Sequence, residues 1–306
     1  MKKYCHIIAL LLLLPTLYAC HNHSKTAKPK EGLSIVTSFY PIYAITKAVS
    51  GDLNDVRMIQ SSAGIHSFEP SVNDVAAIYD ADLFIYHSHT LESWAGDLDP
   101  NLQNSDVAVF EASQTLTLDR VQGLEDIPVS EGIDPATLYD PHTWTDPYLA
   151  SEEALMIAKE LGRIDPKNAS YYTNNAKHFQ KEAEQLGNEY QEKFKKVTSK
   201  TFVTQHTAFH YLAKRFGLNQ LGISGISPEQ EPSPRQLTEI QDFIQTYGIK
   251  TIFTEDNVNP KIAQVIADAT GAKVKKLSPL ESVPNNNKTY LENLRLNLEI
   301  LYQYLQ

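Results

Sequence analysis

From Leu33 to the C-terminus, short β-branched or aromatic runs alternate with stretches whose apolar residues recur every three or four positions. The first pattern predicts buried strands and the second amphipathic helices. Strands are expected at Ser34–Ser38, Val56–Ile59, Leu83–Tyr86 and Val107–Phe110, and again at Thr201–Thr204, Leu218–Ile223, Thr251–Thr254 and Lys273–Leu277. Ser71-x-x-Asp74 has the form of a capping box and opens a helix over Val72–Tyr79. Helical spacing also marks Ala208–Phe216, Ser233–Tyr247, Pro260–Thr270 and Lys288–Tyr304. Strand, helix, strand is the unit of a parallel sheet, so the fold is read as α/β, with a mostly parallel sheet in each half. Gln122–Pro141 has little periodicity and is read as a loop.

A longer pattern separates the halves. Tyr172, Ala176, Phe179, Ala183, Leu186, Tyr190, Phe194 and Val197 follow one another at intervals of three or four, one continuous helical face. Asp165-Pro166 supplies an N-cap carboxylate and a proline for the first helical position. About 32 residues at about 1.5 Å each make a rod of about 48 Å, longer than a small domain is wide. A coiled-coil dimer is the plainer explanation of such a stripe. Its position between two α/β halves points instead to one long rigid helix joining two lobes, 33–165 before it and 199–306 after it, with 166–198 as the link.

Composition narrows the class. With 42% hydrophobic residues, 13 Gly and 2 Cys among 306 residues, the chain is neither disordered, nor collagenous, nor a disulfide scaffold. Its 37 acidic residues outnumber 27 basic ones, and no basic cluster offers a phosphate-binding surface, so nucleic acid is not an expected partner. Ten histidines on a chain of net charge −10 suit cations. At the start, Met1-Lys2-Lys3 precedes the apolar run Ile7–Leu14, too short for a permanent span and of the right length for a signal peptide, 1–19. Leu17-Tyr18-Ala19-Cys20 resembles a bacterial lipobox, whose cysteine is lipidated; residues 20–32 would then be a polar tether. An ordinary signal peptide that happens to contain Cys20 is the plainer alternative.

Three histidines stand at or near the C-terminal ends of expected strands, where open α/β sheets bind ligands. They are His66 in Gly64–Pro70, His142 in Asp140-Pro141-His142-Thr143-Trp144, and His206, directly after Thr201–Thr204 and opening the next helix. Each alone is an ordinary loop histidine. His87 and His89 sit at another strand end and are read as polar residues on the rim of the cleft, with a transient metal relay as the sharper alternative. His210, one turn after His206, is read as packing behind the site; Thr207-Ala208-Phe209 between them lacks the glutamate of HExxH, which removes the usual general base. His21 and His23 are read as incidental on the tether. Phe39-Tyr40-Pro41, Trp94 and Trp144 are expected to wall the site from water, and Asp140 to accept the second ring N–H of His142.

IHSFEPSVNDV, ADLFIYHSHTLESW, DPHTWTDP and VTQHTAFHYLAKRFGL resemble the metal-binding lipoproteins of bacterial zinc and manganese ABC importers, the cluster A-I solute-binding proteins. The resemblance runs from about Leu33 to the end of the chain. It implies a metal held between the lobes, with His66 and His142 from the first and His206 from the second. The position of His206 is His in zinc members and Glu in manganese members, and imidazole-rich sites suit Zn2+. The family's usual fourth ligand is an Asp in Asp-Pro-Leu, but here Ser278-Pro279-Leu280 places Ser there; Glu281 is the expected substitute, with Glu255 or a water as alternatives. The resemblance further implies a monomeric, lipid-anchored receptor on the extracellular face of the membrane. It would capture Zn2+ and deliver it to an ABC permease, other surface zinc-binding proteins being further candidate partners. It would not be an enzyme. Streptococcal members most like this chain are also described as laminin-binding, which makes adhesion to host laminin the second reading. A zinc hydrolase using the three histidines and water is the third.

Overall fold

A computed structural model describes residues 32–59, 64–102, 104–121, 138–256 and 258–306. The expected signal peptide, Cys20, all but the last residue of the tether, and most of the Gln122–Pro141 loop lie outside them.

The first sheet contains β1 (Ser34–Thr37), β2 (Asp55–Met58), β3 (Leu83–Tyr86) and β4 (Ala108–Glu111), in the order β2-β1-β3-β4. Every pairing is parallel, Val36 standing opposite both Arg57 and Phe84. The crossovers carry α1 (Tyr40–Ser50), α2 (Val72–Tyr79) and α3 (Ser93–Leu102). Two further helices follow, α4 (Pro147–Ile164) and α5 (Ala169–Phe194). The second sheet repeats the plan with β5 (Thr201–Thr204), β6 (Asn219–Gly222), β7 (Thr251–Thr254) and β8 (Lys273–Lys276), ordered β6-β5-β7-β8 and again wholly parallel. Its helices are α6 (His210–Phe216), α7 (Pro234–Thr246) and α8 (Lys261–Thr270), and α9 (Tyr290–Leu305) ends the chain.

Strand character follows position. The inner strands β3 (LFIY) and β7 (TIFT) are buried at every residue, as a sheet covered on both faces demands. The edge strands β2 (DVRM) and β8 (KVKK) put charged residues at their exposed positions, which discourages pairing with another chain. Alternation sorts the inner strands between cores. Ile35 and Ile85 face the helices between the sheets, whereas Val36 and Phe84 face a smaller cluster with Trp94 on the far side.

The linking helix is real but shorter than its pattern implied. Residues 166–168 form a 3-10 turn, and α5 has 26 residues, about 39 Å. Asp165 does not cap it. Its carboxylate instead accepts from the Tyr172 hydroxyl and the Asn168 amide, each at 2.7 Å. All eight stripe residues from Tyr172 to Val197 are buried, which excludes a coiled-coil role for that face. α5 packs antiparallel on α4 and also meets α1, α6 and α9. One apolar core runs without a break from Ile35 in the first sheet through Tyr172, Leu186 and Phe194 to Phe253 in the second and Leu305 in α9. At Gly187 the ring of Tyr148 lies so close that a Cβ would stand 2.2 Å from its Cε2.

Strand order places the site. In each sheet the chain leaves the first strand to one side for the second and to the other for the third, so a crevice opens at the C-terminal ends of β1 and β3, and of β5 and β7. His206 directly follows β5 at the second crevice, while His66 follows β2 and His142 comes just before α4.

Candidate metal centre

His66, His142, His206 and Glu281 converge, with one donor atom from each, all within 4.8 Å of one another. His66 rides on a 3-10 turn, Ile65–Ser67, after β2. His142 stands at the head of a second 3-10 turn, Thr143–Thr145, just before Asp146 caps α4 by accepting from the Tyr148 N–H at 2.9 Å. His206 follows β5 but does not open a helix. α6 starts four residues later, because the His206 carbonyl is taken by the Thr204 hydroxyl at 2.7 Å and the Gln220 amide at 3.0 Å instead of starting a helical ladder. Glu281 leaves the turn after β8, where Leu280 has φ 60°. A left-handed leucine costs about 1–2 kcal/mol, and neighbours must hold it there.

Glu281 Oε1 lies 3.2 Å from His206 Nε2, 3.4 Å from His66 Nε2 and 3.5 Å from His142 Nε2, and the last two nitrogens are 3.4 Å apart. Four donors placed tetrahedrally about 2.0–2.1 Å from zinc stand about 3.3 Å from one another, and the four separations just given lie close to that value. Glu281 turns an oxygen toward the three imidazole nitrogens, and Glu255 does not. Glu255 Oε1 sits 2.5 Å from Nδ1 of His206, behind the ring. Asp140 Oδ1 likewise sits 2.7 Å from Nδ1 of His142, as expected for it. In both rings Nδ1–H donates outward to a carboxylate, which orients the ring and turns Nε2 inward.

Electrostatics favour a cation at this point. Burial alone would lower the His206 pKa, but the Glu255 and Glu281 carboxylates outweigh it and push it up to about 10. Burial opposes the rise at His142 too, and Asp140 outweighs it. For Glu281, burial would raise the pKa, yet the imidazoles of His206 and His66 hold it well below the ordinary carboxylate range. Each sign of charge is stabilised by the other, in a place where His142 and His206 are fully buried.

The remaining candidates fall elsewhere. His87 is not on the rim of the cleft. It is fully buried, its Nε2–H donating to the Pro141 carbonyl at 2.7 Å, so it supports the backbone beside His142. Burial pushes His87 down to about 4 and its neighbour Glu153 up to about 8, so their 3.7 Å contact is between neutral groups and not an ion pair. His89 is exposed and pairs with Glu111 at 2.9 Å. His210, the first residue of α6, meets Asp119 at 3.1 Å. Trp144 does pack on the site, 5.1 Å from the His142 ring, and Phe39 packs on Trp144 at 5.0 Å. Trp94 lies in the outer core against Phe68 and Phe84. Tyr40 and Pro41 begin α1, with the Tyr40 ring 6.4 Å from that of Tyr290.

Two parallel-sheet lobes tied by one long helix, with three imidazoles and a carboxylate meeting between them, define a metal-capturing solute receptor and not an enzyme. The chain belongs to the zinc-uptake complex component A (ZnuA) family, described as periplasmic, whose model matches residues 35–304. Among solved structures it is similar to the laminin-binding protein Lmb of Streptococcus agalactiae, described as bifunctional with adhesin and metal-transporting activity, at 74% identity and TM-score 0.83 over 90% of this chain and 100% of that one. It is also similar to a Zn(II)-bound variant of Streptococcus pneumoniae AdcAII with a glutamate replaced by glutamine, at 64% identity and TM-score 0.86 over 91% and 100% of the two chains. Among characterised sequences, the high-affinity zinc uptake system protein ZnuA of Bacillus subtilis is 33% identical over 98% of this chain and 97% of its own length. The zinc-binding lipoprotein AdcA of S. pneumoniae is 34% identical over 99% of this chain, which spans only 61% of that longer protein. This chain binds zinc as that family does.

Proposed function

We propose that His66, His142, His206 and Glu281 hold one Zn2+ as cargo, and that the protein is a surface receptor passing it to the permease of an ABC importer. The observation that carries this is the meeting of four donors, four of their six separations being 3.2–3.5 Å, with His142 and His206 each aiming a nitrogen inward. Three imidazoles and one carboxylate make a closed set, suited to holding an ion rather than activating a water. On this reading residues 1–19 are a leader, Cys20 carries the lipid, and 20–32 are a tether. Residues 33–165 form the first lobe, 166–198 the link and 199–306 the second lobe. No helix among the described residues is long and apolar enough to cross a membrane, in keeping with anchoring through lipid.

The test is zinc affinity by chelator competition for wild type, His206→Ala and Glu281→Ala. Zn(II)-bound structures exist for three single-residue variants of AdcAII, so affinity and not mere presence of metal is the measure. One equivalent of zinc in wild type and at least a hundredfold weaker binding in each variant is expected; unchanged affinity in Glu281→Ala would remove it from the ligand set.

The 74% identity to Lmb favours a second activity, adhesion to laminin. Laminin binding that survives zinc removal and His206→Ala would make adhesion independent of the metal.

A further inference from the structure

Glu281 reaches the three histidines from a turn with one hydrogen bond of its own, the Leu280 N–H donating to Ser278 Oγ at 3.1 Å. Leu280, directly before it, is the one non-glycine residue with positive φ among the described residues, and its side chain is buried. Three bonds from other elements grip the turn. Ser278 donates its N–H to Asn297 Oδ1 at 3.3 Å and accepts from Asn297 Nδ2 at 2.6 Å, both from α9. The third comes from the opposite lobe: the indole N–H of Trp144 donates to the Pro279 carbonyl at 2.8 Å. Trp144 is itself fixed on three sides. Its backbone carbonyl accepts from the Tyr290 hydroxyl, its ring meets Phe39 edge-on at 5.0 Å, and it packs on His142, two residues away, at 5.1 Å.

We propose that Trp144 is a positioning residue for the fourth zinc donor: its indole N–H, bonded across the lobe boundary to Pro279, holds the strained Leu280 turn so that Glu281 Oε1 meets the imidazoles. This rests on Glu281 being a zinc ligand. A first-lobe tryptophan thereby couples the placement of His142, beside it in the chain, to that of Glu281, which lies in the second lobe. The ring explains why the residue is large and apolar; only the bond to Pro279 requires an indole. Trp144→Phe keeps a ring against His142 and removes the donor, so the two contributions separate.

The experiment is a double-mutant cycle on zinc affinity, with Trp144→Phe and Glu281→Ala alone and together. Trp144→Phe should weaken binding about tenfold or more in the wild-type background, the scale of groups that orient ligands, and less than about twofold once Glu281 is gone. Equal loss in both backgrounds would overturn the proposal, because Trp144 would then act through His142 or packing. No effect of Glu281→Ala alone would instead show that the ligand assignment is at fault. Linkage gives a second reading on the unmutated protein. If the Trp144–Pro279 bond strengthens zinc binding by some factor, zinc must strengthen that bond by the same factor. The chain has two tryptophans, and the indole N–H of Trp94 has no partner among the described residues, so the two NMR signals are separable. Zinc should slow hydrogen exchange at the Trp144 indole by the factor the variant loses; exchange indifferent to zinc would refute the coupling even if Trp144→Phe failed to fold.

Discussion

At the scale of single residues, the carboxylates behind the histidines are as consequential as the donors in front. Glu255→Gln and Asp140→Asn keep size and an acceptor but lose the charge that holds each Nδ1–H, so each should weaken zinc binding about 10–100-fold, read by chelator competition. Glu153 gives a different signal. Its carboxyl ionises near 4.5 ordinarily and near 8 when buried, so the folded state keeps the proton through that range and stability falls as pH rises across it. Glu92 acts the same way up to about 7, whereas His87, depressed to about 4, costs stability only as pH drops below 6.5. The zinc-stripped protein should therefore be less stable at pH 8 than at pH 6.5, and Glu153→Gln should remove a share on the order of a few kcal/mol. His206, also raised, contributes equally to both proteins, so the difference in denaturation midpoints isolates Glu153. The four converging residues were legible because the motifs around them resemble those of a known family; strand-end position alone left each histidine an ordinary loop residue. The duties of Glu255 and His87 were not, because which face of a ring a side chain meets is decided by packing between elements far apart in the chain.

At the scale of elements, α5 shows a local rule overruled by its neighbour. Alanine normally favours a helix over glycine by about 1 kcal/mol, but at position 187 it would strike the Tyr148 ring, and overpacking costs about 1–3 kcal/mol. Gly187→Ala should thus destabilise by about 1 kcal/mol in chemical denaturation, and in a Tyr148→Ala background the same change should become neutral or favourable. The strands β3, β5 and β7 lie where their runs of apolar and β-branched residues predict, since a doubly covered strand carries such residues on both faces. Helices α1 and α3 are harder to read from the chain. α1 opens on Phe39-Tyr40-Pro41, which reads as an aromatic cluster until the proline is seen in the first turn, and the sequence of α3 includes Gly96 and Pro100, both poor helix formers.

At the scale of the whole molecule, two lobes do not mean two folding units. A core continuous from Ile35 to Leu305 gives neither sheet an inner face of its own to bury, so calorimetry should show one unfolding transition. Zinc at about a hundred times its dissociation constant should stabilise that transition by about 2.7 kcal/mol. Two separable transitions, one moved by zinc and one not, would contradict the shared core. Ties beside the site reinforce it: Tyr211 donates to the Asp140 carbonyl at 2.7 Å, and Arg215 meets Asp146 at 2.8 Å, both from α6 to the first lobe. The seamless core has a further consequence, for durability. A protease cuts what opens, and a lobe with a private core can open alone at modest cost. Here each sheet has a cluster of its own on its far face but buries the other face against the shared core, so digestion within either sheet should track global stability, and an ion held at the centre should lengthen the lifetime of strands that never touch it.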